Sequence, residues 1–158
     1  MSIEREEIVT ICCSDIAGQL RGKGFPFTDL KNRLRFGVGW TPTNIMINCH
    51  GRIPATPFGA AGDLMLVPSP EGEVTIDLGN NIPVERFILG DILTMKGEVW
   101  DCCLRSFLKR ARNDLETQTD LRLIASFEHE FHIDNASERP GDSYAVSSLR
   151  GLEPFIGD

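Results

Sequence analysis

Between residues 121 and 134 apolar and polar side chains alternate almost without interruption. Leu121, Leu123, Ala125, Phe127, His129, Phe131 and Ile133 share one parity, and Arg122, Ile124, Ser126, Glu128, Glu130, His132 and Asp134 share the other. A β-strand sends successive side chains to opposite faces, so this spacing predicts one long strand with an apolar and a polar face. Residues 8–13 are apolar at both parities, as a central strand requires. Turn chemistry at 15–18 leads to a second strand expected over 19–25, broken by Pro26. Thr28 is placed to cap a short helix over 29–35, with Leu30 and Leu34 on one side. Residues 36–62 hold five glycines and three prolines, which exclude any long regular element, although 45–47 fits a short edge strand. Further strands are expected over 63–67, closed by Pro68, and over 74–78 and 86–93, the last two separated by Gly79-Asn80-Asn81.

At Trp100 the period changes. Leu104, Phe107, Leu108, Ala111 and Leu115 form a stripe at helical spacing, with Asp101 as a suitable cap and Arg105, Lys109 and Arg112 on the wet side. A strand hairpin with a packed helix is the start of an α+β domain, so the expected division is residues 1–100 and residues 101–158. One helix and one strand cannot close a two-layer core. Residues 101–158 are therefore expected to open a larger domain, or to be completed by another chain.

Composition narrows the function classes. With 158 residues, 41% hydrophobic and 25% charged, the chain has the make-up of an ordinary globular protein. A net charge of −7 argues against nucleic acid or an anionic membrane as the main partner. No apolar run approaches the ~18 residues of a membrane span, and the first ten residues lack the pattern of a signal peptide. Cys12, Cys13, Cys49, Cys102 and Cys103 include two adjacent pairs and no C-x-x-C spacing. They are expected to be reduced thiols packed as small core residues in a cytoplasmic protein.

The polar face of the 121–134 strand carries the candidate chemistry. Side chains two apart on one face stand roughly 6.6 Å apart, so Glu128 and Glu130 would repel one another unless a hard cation such as Mg²⁺ or Mn²⁺ lay between them. A solvated strand face, where acids are ordinary, explains the same residues. His129 and His132 look like a zinc pair, but three residues apart on a strand they face opposite ways.

Several segments, in fixed order, resemble the glutamine synthetase family. Ser126-Phe-Glu128-His-Glu130-Phe131 resembles its E-x-E-F strand. Asp15-Ile-Ala-Gly18-Gln-Leu-Arg21-Gly22-Lys23 resembles its N-terminal D-x-x-G-x-x-R-G-K hairpin, and Gly62-Asp63-Leu-Met-Leu-Val-Pro68 its (S/G)-D-(M/L)-x-L-x-P strand. Arg105-Ser-Phe-Leu108-Lys109 resembles the start of its first catalytic-domain helix, and Asp142-Ser-Tyr144 with Leu149-Arg150 a later loop. The resemblance implies a β-grasp N-terminal domain followed by the first helix and strand of the catalytic domain, and subunits stacked in rings. It implies an ATP-driven ligase that joins ammonia or an amine to the γ-carboxylate of glutamate, a step in glutamine biosynthesis and nitrogen metabolism. Glu128 and Glu130 would each hold one of two Mg²⁺ or Mn²⁺ ions, and Asp63 would project into a neighbouring subunit's amine site. The chain would be the N-terminal portion of that ligase and inactive alone. A non-catalytic β-grasp binding or assembly module is the alternative.

Three departures qualify the match. The family's D-G-S-S loop has no counterpart, since residues 36–43 read FGVGWTPT. That weakens the expectation of ammonia and favours an organic amine. The family's P-D-P reads Pro68-Ser69-Pro70, and Leu104 stands where a proline precedes Arg105.

Overall fold

The computed structural model describes residues 7–59, 62–77 and 83–128. One compact unit ends at Arg122, and a second begins at Leu123. The first unit is α+β, a β-grasp sheet of five strands in the spatial order β2-β1-β5-β4-β3. In sequence these are β1 (Ile8–Ser14), β2 (Leu20–Pro26), β3 (Val38–Trp40), β4 (Leu64–Ile76) and β5 (Glu85–Thr94). Helix α1 (Leu30–Phe36) lies between β2 and β3, and α2 (Leu104–Thr119) follows β5. β1 runs parallel to β5, and every other neighbouring pair is antiparallel.

The core follows from strand register. Val9, Ile11 and Cys13 of β1 share a face with Ile88 and Ile92 of β5, Leu64 and Leu66 of β4, and Val38 and Trp40 of β3. Leu30 of α1 packs against this face. Each fully buried aliphatic side chain there contributes roughly 1.5–3 kcal/mol by leaving water. Cys12 lies on the opposite face, with its Sγ 3.8 Å from the Ile88 carbonyl. All five thiols are free, and Cys12, Cys13 and Cys103 are buried. Burial, and then the neighbouring Cys103, Cys12 and Asp15, push the Cys13 thiol up to about 12, so it stays neutral.

Several expectations are corrected. β4 is one strand, not two with a break at Pro68; its ladder with β5 shifts between Pro68 and Glu73. Pro68 and Pro70 have no N–H to donate, and a bulge accommodates them where a regular ladder would not. The edge strand is residues 38–40, and Pro42–Ile45 forms a 3₁₀ turn. Asp29, not Thr28, stands at the N-cap of α1, and its carboxylate binds Asn32 and Arg33 side chains. Cys103, not Asp101, precedes α2.

The expected strand over 121–134 does not form in its described part. Residues 121–128 are irregular and exposed, and 129–134 lie outside the described residues. Alternation specifies faces, but a strand also needs a neighbour to satisfy its backbone groups. The apolar stripe of α2 is likewise uncovered, with Phe107 64% and Leu108 55% exposed. Among the described residues no helix is long and apolar enough to cross a membrane.

Close packing of β2 on β1 yields a prediction. A Cβ at Gly22 would lie 2.6 Å from the Ile11 carbonyl oxygen, whereas one at Gly39 would meet nothing within 4 Å. Gly22→Ala is expected to cost about 1–3 kcal/mol of stability, and Gly39→Ala to stay within about 0.5 kcal/mol of the parent. Urea unfolding of both variants checks the contrast.

Candidate functional site

The β1–β2 hairpin is built on a buried carboxylate. Asp15 is 1% exposed. Its Oδ1 accepts hydrogen bonds from the N–H groups of Ala17 and Gln19, each at 2.9 Å, and its Oδ2 accepts one from Arg21 Nε at 2.8 Å. Burial alone would push this carboxyl up. The Arg21 hydrogen bond, the Gln19 and Ala17 amides and the Arg21 charge outweigh it, and Asp15 lies below the usual carboxylate range. Gly18 turns the chain at φ 78°. The spacing D-x-x-G-x-x-R thus has a local purpose: a carboxylate, a glycine turn and a guanidinium that form one closed set.

Two ties run from this hairpin to the segment that follows α1. The Ile16 N–H donates to the Ile45 carbonyl at 2.9 Å. Lys23 Nζ donates to the Gly39 carbonyl at 2.5 Å and stands 5.8 Å from the centre of the Trp40 ring. β2 and β3 are the two edges of the sheet, so this reach shows that the sheet curls its edges toward one another, as twist allows. Lys23 pairs with Ile11 in register and therefore shares the core face, along which its aliphatic stem can run.

Asp63 stands where this segment meets β4. Trp40 pairs with Leu64, so the register continued by one residue sets Thr41 opposite Asp63. Thr41 and Thr43 share a 2.8 Å hydrogen bond between their hydroxyls. Gly62, at φ 120°, backs onto the Pro42 ring: a Cβ there would lie 3.4 Å from Pro42 Cγ. Asp63 is exposed, and no hydrogen bond or ion pair joins it to another described residue. Beneath this edge Trp40 is buried, with Nε1 unpartnered among the described residues. Asp63 is thus an exposed carboxylate at the entry to β4, and Thr41 and Thr43 of the facing segment are half-buried.

The expected metal residues fare differently. Glu128 belongs to the second unit and is exposed on irregular backbone. Glu130 lies outside the described residues. Among the described residues no three His, Cys, Asp or Glu side chains are grouped to hold a metal ion. By donor chemistry Glu128 suits a hard cation.

A second polar cluster fastens α2 to the sheet. Asp91 of β5 receives both Arg105, at 3.0 Å, and Lys109, at 2.6 Å. The Ser106 hydroxyl donates to the same carboxylate at 3.3 Å. Burial pushes Asp91 up, but Lys109 and Arg105 prevail and its pKa is lowered. Ser69 donates to Glu71 nearby. That hydrogen bond, ahead of the more distant charges of Lys109 and Arg105, lowers the Glu71 pKa. In the sequence Arg105 and Lys109 look like wet-side charges, because a helical stripe says nothing of a carboxylate on a strand.

A family model and solved structures resemble this chain. The model of the glutamine synthetase N-terminal domain matches residues 1–100. Among solved structures, a novel glutamine synthase homolog aligns at 27% identity and TM-score 0.70, over 75% of this chain and 28% of that one. GmaS in complex with ADP aligns at 18% identity and TM-score 0.55, over 72% of this chain and 24% of that one. Glutamine synthetase of Plasmodium falciparum aligns at 16% identity and TM-score 0.53, over 72% and 20%. The last two show likeness of fold alone. Among curated proteins none matches the sequence.

The Asp91 cluster generates a testable expectation. Asp91→Ala leaves two cations without their acceptor and should cost about 1 kcal/mol, less at high salt because the site is partly exposed. Urea unfolding at low and high ionic strength measures it. No change at either would mean that apolar contacts alone dock α2.

Proposed function

The chain belongs to the glutamine synthetase family through its N-terminal domain, and we propose that it is the N-terminal portion of a ligase joining ammonia or an organic amine to the γ-carboxylate of glutamate. It spans about a quarter of the length of the solved structures it resembles. The family-model match over residues 1–100 carries this reading. The remaining nucleotide- and glutamate-binding groups of such a ligase would lie beyond these 158 residues.

Asp63 is the residue through which this domain would act on the reaction. Its open carboxylate would hold the cationic form of the incoming amine and accept its proton, leaving the nitrogen lone pair free to attack. In a ring of subunits the amine site would belong to the neighbouring subunit. The segment that replaces the family's acidic loop presents Thr41 and Thr43, which are neutral. One carboxylate with two hydroxyls favours an organic amine, whose alkyl part gains nothing from a second charge. ATP would be co-substrate, with Glu128 and Glu130 holding Mg²⁺ or Mn²⁺; a cation there, when bound, screens the charge of transferring phosphate.

The experiment is steady-state kinetics of the full-length protein with ATP, glutamate and a panel of amines. Asp63→Asn is expected to lower kcat/KM for the amine about a hundredfold while the KM for glutamate holds. Glu128→Gln should weaken activation by Mg²⁺ or Mn²⁺. The 158-residue chain alone should show no ATP-dependent γ-glutamyl transfer. Unchanged amine kinetics in Asp63→Asn would remove Asp63 from the site, and turnover by the isolated chain would remove the need for a larger catalytic domain.

A further inference from the structure

We propose that Asp15 and Arg21 are positioning residues for Asp63, and that the hairpin they organise is a template for the amine-facing edge of the domain. The name of that edge rests on the ligase reading above; the mechanical part does not.

The route is a short series of contacts. Asp15 fixes the backbone of residues 15–19 through the Ala17 and Gln19 amides, and Arg21 neutralises it. The turn so fixed aims the Ile16 N–H at the Ile45 carbonyl, 2.9 Å away. Ile45 is 1% exposed and ends the 3₁₀ turn Pro42–Ile45. Three residues beyond Gly18-Gln19-Leu20 in the same hairpin, Lys23 takes the Gly39 carbonyl at the other end of the segment. Residues 39–45 are thus held at both ends by one hairpin. Between the two ties lie Thr41, set opposite Asp63, and Pro42, against which Gly62 rests.

The site residue itself supplies none of this support, since no described residue bonds to Asp63. Its place is set by its backbone, next to Leu64 of the Trp40–Leu64 pair, and the segment facing it is tied to the hairpin at Gly39 and Ile45. A buried carboxylate is costly unless its partners are all in place, so the set tends to be wholly formed or wholly broken. That makes Asp15 and Arg21 a two-state support for an edge they do not touch.

Amide hydrogen exchange on the 158-residue chain decides the matter, with Asp15→Asn and the milder Arg21→Lys. The N–H groups of Ile16, Asn44 and Met46, bonded to Ile45, Thr41 and Thr43 carbonyls, report the route. Those of Trp100 and Cys103, bonded to Ile92 and Trp100 carbonyls, serve as controls. The expected result is exchange about tenfold faster at Ile16, Asn44 and Met46, with the controls unchanged in at least the milder variant. Faster exchange confined to residues 16–19 overturns the proposal, because the turn would then be uncoupled from 42–46. Uniform acceleration in both variants, controls included, overturns it too, since the pair would then support the whole fold. In the full-length ligase, Arg21→Lys should raise KM for the amine while kcat and the KM for glutamate hold. Coupled exchange with an unmoved amine KM would keep the positioning and refute the placing of Asp63 in the amine site.

Discussion

A carboxylate out of water is the constraint on which the β1–β2 hairpin, and the sheet edge tied to it, depend. Asp15 is almost wholly buried, and an ionised group in that position is tolerable only with every partner present. Two backbone amides and one guanidinium supply them. Meeting that demand closes the turn between β1 and β2, and the turn brings β2 into register along the whole of β1. β1 in turn is the strand beside β5 at the centre of the sheet. A polar requirement at one end of the sheet therefore helps set the β1–β2 pairing and, through the Ile16 N–H to Ile45 carbonyl bond, the segment opposite the entry to β4.

Much of this was legible in the residues. The strands β1, β2 and β5 and both helices lie within a few residues of where period and turn chemistry place them, because each has local breakers at its ends. The family's D-x-x-G-x-x-R-G-K spacing marked the hairpin, and the structure supplies a physical purpose for each marked position. What eluded the sequence was non-local. Pro68 reads as a strand end, yet a bulge opposite β5 carries the strand through it and Pro70. Nothing in the hairpin motif tells what Lys23 meets, yet a curled sheet brings the far edge within its reach. Arg105 and Lys109 lie on the expected wet side of α2, and only the fold reveals Asp91 beneath them. The alternation over 121–134 was real as a pattern, but over 121–128 a face without a partner is not a strand.

The two halves of the expected site are unequally assembled. Asp63 stands at a paired strand end, next to a glycine that fits against Pro42. Glu128 has an exposed carboxylate and no described companions. The uncovered stripe on α2, with Phe107 and Leu108 more than half exposed, points the same way. A helix with its polar face fastened to the sheet and its apolar face in water is half of a contact. The sheet is the packed element, and α2 leaves an apolar face open beside it. A free-standing binding module would have less use for an open carboxylate at a strand entry and more for a covered helix.

The most direct measurement is the unfolding free energy of the chain and of Asp15→Asn, followed from neutral pH into acid. Asp15 has a folded-state pKa below its unfolded value near 3.9. Its contribution is therefore full above that unfolded value and is lost as pH falls through the folded one. Asp29, Glu71 and Asp91 are lowered in both proteins and cancel in the difference. The expected stability gap is widest at neutral pH and narrows below about pH 4. A gap of constant size across that range would show that the Asp15 charge does not hold the hairpin.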